Sequence, residues 1–432
     1  MSLQASSSIS LSAKGSPANG GLAASKPSKI LIGITGGVAA YKLCEVTSTL
    51  AKAGIEVRVM MTRQSQSFVS ALTFAALSRH PVYTDDDFWS AKQARPLHIE
   101  LGEWADVFVI APLSANTLAK LAHGLADNLL TNTVLASTCP VLLAPAMNTD
   151  MWQQAAVQRN WQQLETCQLA SRYHSVGPDV GRLACDRIGT GRMAEPSEIV
   201  TAIYSLSHTK GRRDLLGKHL LISGGTTQEY LDPVRFIGNP ATGRMGIALA
   251  QAASHRGAEV TLVHGPLAGD LANTIPAPIR TIAVTAAADM ESAMRSAQPS
   301  ADWTIMSAAV ADIRPTHSAT YKLPKAELPT HLSLSPVPDI VAQLAQQKSP
   351  GQRIIGFAAQ TGDIVTPALS KLKGKQLDAI VTNPIDKPDS GFGSANNQAV
   401  ILLANGQQRR IDNGSKLSFA HQLYDCLATY CQ

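Results

Sequence analysis

Four stretches of this 432-residue chain combine side chains that could do chemistry. The first is LHIELGEWAD, residues 97–106, where His98 stands among three acids just ahead of the apolar run VFVIAP. An imidazole titrates near neutrality, so His98 is a candidate general base; it reads equally well as part of a polar turn before a strand. The second, APAMN, ends an apolar run in the amide of Asn148. That amide could grip a ligand at a strand end or simply cap the next helix. The third is RLACDRIGTGRMAEP, residues 182–196, a glycine-broken loop holding Cys185 near Arg182, Arg187 and Arg192. Nearby cations lower a thiol's pKa and make it reactive or able to give up a proton. The fourth, SANT at 114–117, sets Ser114, Asn116 and Thr117 at a helix start, where free backbone N–H groups attract an anion or accept a capping hydroxyl.

The second half carries polar and basic clusters instead: GGTTQEYLDPVRF, NPATGRMG, SAAVADIRP, YKLPK, VPDIV, GFAAQT and KLKGKQLDAIVTN. Each lysine alone reads as solvated surface. No G-x-x-x-x-G-K-[ST] phosphate loop is present.

The positioning elements follow from hydrophobic periodicity. KILIGITGG, from Lys29, reads as a strand ending in Gly36 and Gly37, followed by a helix to Gly54. EVRVMMT reads as a strand ending at Thr62, with a helix over 66–79. VFVIAP and PVLLAPAMN are further strands, each followed by one helix, SANTLAKLAHGLADNLL and TDMWQQAAVQRN. Residues 205–217, SLSHTKGRRDLLG, read as a linker. The pattern restarts at KHLLISGGTT and continues through EVTLVHG, WTIMSAAV, RIIGFAA, DAIVTN and QAVILLANG, with helices expected at 242–256, 286–296, 363–373 and 415–430. Strands apolar throughout and alternating with helices predict parallel, doubly wound sheets. The expected organisation is a disordered tail over 1–28, one α/β unit over 29–204, the linker over 205–217 and a second α/β unit over 218–432. Ligands of such sheets bind beyond the carboxyl ends of the strands.

Composition narrows the function classes. A net charge of +5 is too diffuse to argue for nucleic acid but suits anionic small ligands. Six scattered cysteines without a C-x-x-C pair argue against a zinc site or a disulfide framework and point to a reducing cytoplasm. No run of about 18 apolar residues predicts a membrane span. The tail lacks the apolar core of a secretory signal. GITGG is not G-x-G-x-x-G, and the second strand ends in MMTR rather than an acid, so a mononucleotide is favoured over NAD.

Taken together and in order, GGVAAYK, LHIELGEWADV, APLSANTLAKLAHGLADNLL, APAMNTDMW and LACDRIGTGRMAEP resemble the flavin-dependent phosphopantothenoylcysteine decarboxylases over nearly the whole first unit. The resemblance implies a flavodoxin-like fold, with FMN against Gly36, Gly37, Thr62, Ser114, Asn116, Thr117 and Ala146. It implies His98 as the catalytic base and Cys185 as the proton donor. Asn148 would grip the substrate carboxylate, with Met151 in the same segment.

The second unit similarly resembles the CTP-using phosphopantothenate–cysteine ligases, and the fusion resembles the bifunctional enzymes of bacterial coenzyme A biosynthesis. The implied CTP contacts are Asp312, Lys322, Pro338, Asp339, Ile340, Val341, Phe357, Lys371 and Lys375. Lys322 would also turn over the acyl-cytidylate. Arg235, Asn239, Ala308 and Ala309 would handle that intermediate and 4′-phosphopantothenate, with L-cysteine and Mg2+ completing the reaction. The chain departs from the usual pattern at Val337 before PDI, Gln360 in GFAAQT, Pro324 in YKLPK and Arg244 in NPATGRMG. Arginine for lysine keeps charge and changes geometry. The resemblance also implies a homo-oligomer: decarboxylase trimers and ligase dimers, together a dodecamer. Two rivals are a flavin or NADP oxidoreductase, opposed by the failed dinucleotide fingerprints, and a non-catalytic regulatory relative, which would be expected to lack His98 or Cys185.

Overall fold

The computed structural model describes residues 29–91, 94–166, 172–183, 186–387, 389 and 391–430; the expected tail lies outside them. In the first unit the elements are β1 (Lys29–Ile34), α1 (Lys42–Lys52), β2 (Glu56–Met61), α2 (Ala71–Ser78), β3 (Val82–Tyr83), α3 (Asp85–Phe88), α4 (Leu97–Trp104), β4 (Val107–Leu113), α5 (Ala115–His123), α6 (Leu129–Ala136), β5 (Val141–Pro145), α7 (Thr149–Trp152), α8 (Ala155–Thr166) and β6 (Tyr173–Ser175). The sheet is parallel, in the order β3-β2-β1-β4-β5-β6. Without the two-residue edge strand β3, this is the flavodoxin order, with its switch point between β1 and β4. β1 and β4 read as unbroken apolar runs because helices cover both faces of the sheet.

Local chemistry explains where helix boundaries differ from expectation. The helix expected over 114–130 is two helices: Gly124 ends α5 in the left-handed region, and the Asn128 side chain caps α6. TDMWQQAAVQRN likewise splits into α7 and α8. α2 starts at Ala71 with the Ser70 cap, later than residue 66. The stretch around His98 is α4, where a turn is also consistent with the sequence. Leu97 and Leu101, four apart, are its buried face.

A hairpin, β7 (Asp179–Arg182) and β8 (Ile188–Arg192), leads into α9 (Pro196–Thr209). α9 runs into the stretch read as a linker, and Leu215 within that stretch is buried in the second unit's core. The second unit comprises β9 (His219–Gly224), β10 (Gln228–Asp232), β11 (Arg235–Gly238), α10 (Arg244–His255), β12 (Glu259–His264), β13 (Arg280–Ala283), α11 (Ala287–Ala297), β14 (Trp303–Met306), β15 (Ile313–Pro315), β16 (Leu334–Pro336), α12 (Ile340–Gln346), β17 (Arg353–Gln360), α13 (Thr366–Gly374), β18 (Ala379–Pro384), β19 (Asn396–Leu403), β20 (Gln408–Ser415) and α14 (Lys416–Tyr430). Its main sheet runs β13-β12-β9-β14-β17-β18-β19-β20. It is parallel through β18; the last two strands are antiparallel, because short connections lead from β18 through β19 to β20 rather than crossover helices. α10 and α14 pack against one face of it, and α11, α12 and α13 against the other.

The two units meet through α9, which packs on α10 and α14. Arg256, 1% exposed, binds Asp214 and Asp425 there and donates to the His421 carbonyl. Ser205 Oγ lies 2.7 Å from His255 Nδ1 and 2.9 Å from His421 Nε2, and His208 Nε2 lies 2.7 Å from Asp425.

Candidate active sites

In the first unit the switch point gathers the residues expected to meet a flavin. Gly36 and Gly37 follow β1, Thr62 follows β2, Ser114 to Thr117 follow β4, and Ala146 follows β5. Thr35 ties two of these segments together: its Oγ1 donates to the Pro112 carbonyl at 2.5 Å and accepts from Ser114 N at 3.0 Å. Ser114 does cap α5, accepting from Thr117 N, while Asn116 stays exposed beside that helix start. Thr62 Oγ1 is buried with no hydrogen-bond partner, an atom that a ligand would satisfy.

Asn148 also caps: its Oδ1 accepts from Asp150 N at 2.8 Å and starts α7, on which Met151 is 47% exposed. The hairpin closes on this loop. Gly191 O accepts from Met147 N at 2.9 Å, and Arg187 pairs with Asp150 at 2.7 Å. Gly191 sits at φ +134°, and a Cβ there would collide with the Met147 carbonyl, so only glycine permits the approach. The base of the hairpin is pinned by Glu195, which binds Arg192 and, at 3.1 Å, Lys42 of α1. Arg187, Gly189 and Gly191 thus hold the β8 side of the hairpin against the Asn148 loop; Cys185 lies outside the described residues.

His98 projects from α4, which packs on α6. Its ring meets Phe88 edge-on at 5.4 Å, and its Nδ1 is buried without a hydrogen-bond partner. Among the described residues no hydrogen bond or ring contact joins His98 to Asn148 or to the hairpin.

The second unit builds a cavity of about 550 Å³ at its switch point, between β9 and β14. It brings together Asn239, Ala308, Ala309, Asp312, Pro338 to Val341, Phe357, Lys371 and Lys375. Asn239 Nδ2 donates to the carbonyls of Ala309 (3.2 Å) and Val310 (3.1 Å), fixing the turn after β14. Asp339 caps α12 and binds Lys375 at 2.7 Å. α10 can start close to β9 because Gly224 and Gly246 face each other; a Cβ on Gly246 would lie 2.7 Å from the Gly224 Cα.

Two expected residues stand apart from this cavity. Lys322 is exposed on the excursion between β15 and β16 and does not line it. Arg235 binds the buried Asp232 and, at 3.4 Å, the Leu323 carbonyl, while Asp232 Oδ2 accepts from Leu323 N at 3.2 Å. This pair therefore anchors the segment that carries Lys322. Burial alone would raise the Asp232 carboxyl; the N–H groups of Val234, Arg235 and Leu323 and the Arg235 charge bring it below the usual range. Its role, like that of Thr35, had no motif to announce it, because each works through backbone groups distant in sequence; Glu195 works through the side chain of Lys42, likewise distant. Arg244, Asn397 and Lys416 also line the cavity.

Two doubly wound units, each with polar side chains collected at its switch point, define an α/β protein with two separate small-molecule sites. The Flavoprotein family model matches residues 22–208, and that of the DNA/pantothenate metabolism flavoprotein C-terminal domain matches residues 215–430. The chain is 41% identical over 406 residues to the coenzyme A biosynthesis bifunctional protein CoaBC of Bacillus subtilis (strain 168), covering 92% of this chain and 96% of that one. It is 39% identical over 417 residues to the protein of the same name from Mycobacterium tuberculosis (strain ATCC 25618 / H37Rv), covering 94% and 97%. A solved C-terminal domain of a CoaBC protein is 32% identical with a TM-score of 0.42, covering 50% of this chain and 97% of that one. The chain belongs to the family of bifunctional coenzyme A biosynthesis proteins. It is a two-activity enzyme, with a flavoprotein decarboxylase unit followed by a ligase unit.

Proposed function

We propose that the second unit joins 4′-phosphopantothenate to L-cysteine with CTP, and that the first unit decarboxylates the resulting 4′-phosphopantothenoylcysteine to 4′-phosphopantetheine with FMN. The observation that carries this reading is the gathering of the motif residues at the switch points of two units whose family matches run in the same order.

The donors around Gly36, Thr62 and Asn116 fit a flavin mononucleotide: the helical turn opened by Gly37 without a side-chain cap for a phosphate, and an unsatisfied buried hydroxyl for a ring or ribitol group. Bound FMN would supply the two-electron oxidation that turns the substrate thiol into an electron sink, and its later reversal. The protein's residues then handle protons and orientation. The Asn148 amide orients the carboxylate, the His98 imidazole acts as base, and the Cys185 thiol protonates the product of CO2 loss. His98 suits a base whose Nδ1 awaits a partner.

In the ligase the phosphopantothenate carboxylate attacks the CTP α-phosphorus and pyrophosphate leaves. The cysteine amine then attacks the acyl carbon and CMP leaves. Asn239, Ala308 and Ala309 cradle the acyl group, Phe357 and residues 338–341 the nucleoside, and Lys371, Lys375 and Lys322 offset phosphate charge. Mg2+ would arrive on the nucleotide phosphates, with Asp312 in the cavity as a carboxylate donor. Among the described residues there is no cluster of three metal-ligating groups, which fits a cation held mainly by phosphate and water. The reading includes an oligomer of decarboxylase trimers and ligase dimers. Among the described residues no helix is long and apolar enough to cross a membrane. The scattered cysteines support a cytoplasmic setting.

The test is mass spectrometry of the purified protein supplied with phosphopantothenate, cysteine, Mg2+ and CTP, with ATP replacing CTP in a parallel reaction. Phosphopantetheine formed from CTP is expected. Product from ATP alone would overturn the CTP assignment and trace it to Val337 and Gln360. No product from either nucleotide would remove the ligase reading.

A further inference from the structure

One corner of the ligase cavity lies on the opposite face of the sheet from Lys371 and Lys375. There the first turns of α10 and α14 converge, since the two helices pack against each other on that face. Gly243 precedes α10 and Arg244 starts it, Lys416 starts α14 and Asn397 lies in β19, and all four line the cavity. Lys416 is 8% exposed. Its Nζ donates to the carbonyls of Ser394 (2.6 Å) and Gly391 (3.5 Å), which fixes the ammonium at the cavity wall. Burial, and then the Arg244 charge, lower its pKa to about 8.

No described carboxylate pairs with either Arg244 or Lys416. Lys375, in the same cavity, differs in having a carboxylate, Asp339, 2.7 Å away. Arg244 is exposed beside the buried Lys416. A buried ammonium with a second cation beside it and no counter-ion raises the free energy of the empty site, and an anion relieves that cost. The α10 terminus adds unpaired N–H groups and the positive end of a 12-residue helix. Asn397 supplies the independent observation: it is 3% exposed, its Oδ1 is buried without a partner, and its Nδ2 meets only the Met245 sulfur at 3.6 Å. Turning that amide forfeits one weak bond and offers two N–H donors to the cavity.

We propose that Lys416, with Arg244 and Asn397, binds the β- and γ-phosphates of the nucleotide and retains the pyrophosphate as it leaves. This rests on the ligase reading above. The Pα–O bond to the β-phosphate breaks as the carboxylate–Pα bond forms, and the departing oxygen keeps the electron pair. Lys416 contributes charge and a hydrogen bond, and its proton stays on Nζ.

The experiment is steady-state ligation by the full-length enzyme, with inorganic pyrophosphate as product inhibitor. Lys416→Gln should raise both the CTP KM and the pyrophosphate inhibition constant about tenfold, the worth of a charged hydrogen bond. The KM values for phosphopantothenate and cysteine should stay put, and Lys416→Arg should recover most of the loss. Asn397→Asp, which sets a carboxylate against the anion, should weaken pyrophosphate inhibition in the same direction, and decides the matter if Lys416→Gln does not fold. An unchanged pyrophosphate constant in folded variants, or a parallel rise of all three KM values, overturns the proposal while the ligase reading stands. A wild-type enzyme that releases no pyrophosphate from CTP overturns both.

Discussion

The two site regions use the same device, a switch point in a parallel sheet, and finish it differently. In the ligase unit the chain encloses a cavity of about 550 Å³ with residues from both faces of the sheet. In the flavoprotein unit the switch point is left open. Thr62 Oγ1 and His98 Nδ1 lack partners, and apolar Val38, Tyr41, Phe68 and Leu72 beside it are 51–77% exposed. Strand order therefore decides where a ligand sits, and the connections decide how much of its wall one chain provides. The open unit is the one proposed above to take FMN and to assemble as a trimer.

The sharpest way to break this contrast is to disable one site and read the other. His98→Asn should cut CO2 release from phosphopantothenoylcysteine by roughly 10²–10⁴-fold, the range for loss of a general base, and leave ligation unchanged. Cys185→Ser should still release CO2 but stall before the reduced product. Equal loss of ligation in either variant would show that the sites are not separate. Next in size, Gly191→Ala should lift the hairpin off the Met147 carbonyl and lower decarboxylation roughly hundredfold, as ångström misplacements do. Unaltered kinetics there would mean the hairpin does not shape the site. On the ligase side, Lys322→Gln should let acyl-cytidylate build up, detected by rapid quench. Rapid turnover by that variant would reject the exposed lysine's role.

The contrast also marks what a sequence can carry. Strand ends were legible because apolar runs stop where the sheet does, which located Gly36, Thr62, Asn148 and Ala308 together with their neighbours; Phe357, read as a strand end, lies inside β17, which runs on to Gln360. His98 sits on a helix that is only eight residues long, too short for periodicity to separate it from a turn. Asp232, Thr35 and Lys416 act by holding backbone carbonyls and N–H groups of distant segments, and a local pattern contains no trace of such partners. The same holds for the junction. SLSHTKGRRDLLG has a linker's composition, yet Ser205, His208 and Asp214 belong to a packed polar network whose other members come from α10 and α14.

That network yields the smallest expected effect and the subtlest test of independence. Burial lowers the His255 pKa from 6.5 to about 4, and burial together with nearby cations lowers that of His421 well below its usual value. Burial alone would raise the Asp425 carboxyl; hydrogen bonds from His208 and Arg256 lower it to about 2. For the histidines the unfolded chain binds the extra proton. Their neutral burial stabilises the fold fully above pH 6.5, and that contribution fades as pH falls below 6.5, for His255 down through its folded value of about 4 and for His421 through its own depressed value. Asp425 adds a loss only below its unfolded value of 3.8. Burial raises Asp179 and Glu198, so they titrate in the opposite sense, but they cancel when wild type is compared with a His255→Gln, His421→Gln variant. Calorimetric melting between pH 7 and pH 4 should therefore show a steeper decline in wild type than in that variant. Identical slopes would place the histidines outside the stability of the junction. Because neither histidine touches either site, both activities of the variant at neutral pH should match wild type. If one fell, the junction would be coupling two sites that the architecture otherwise keeps apart.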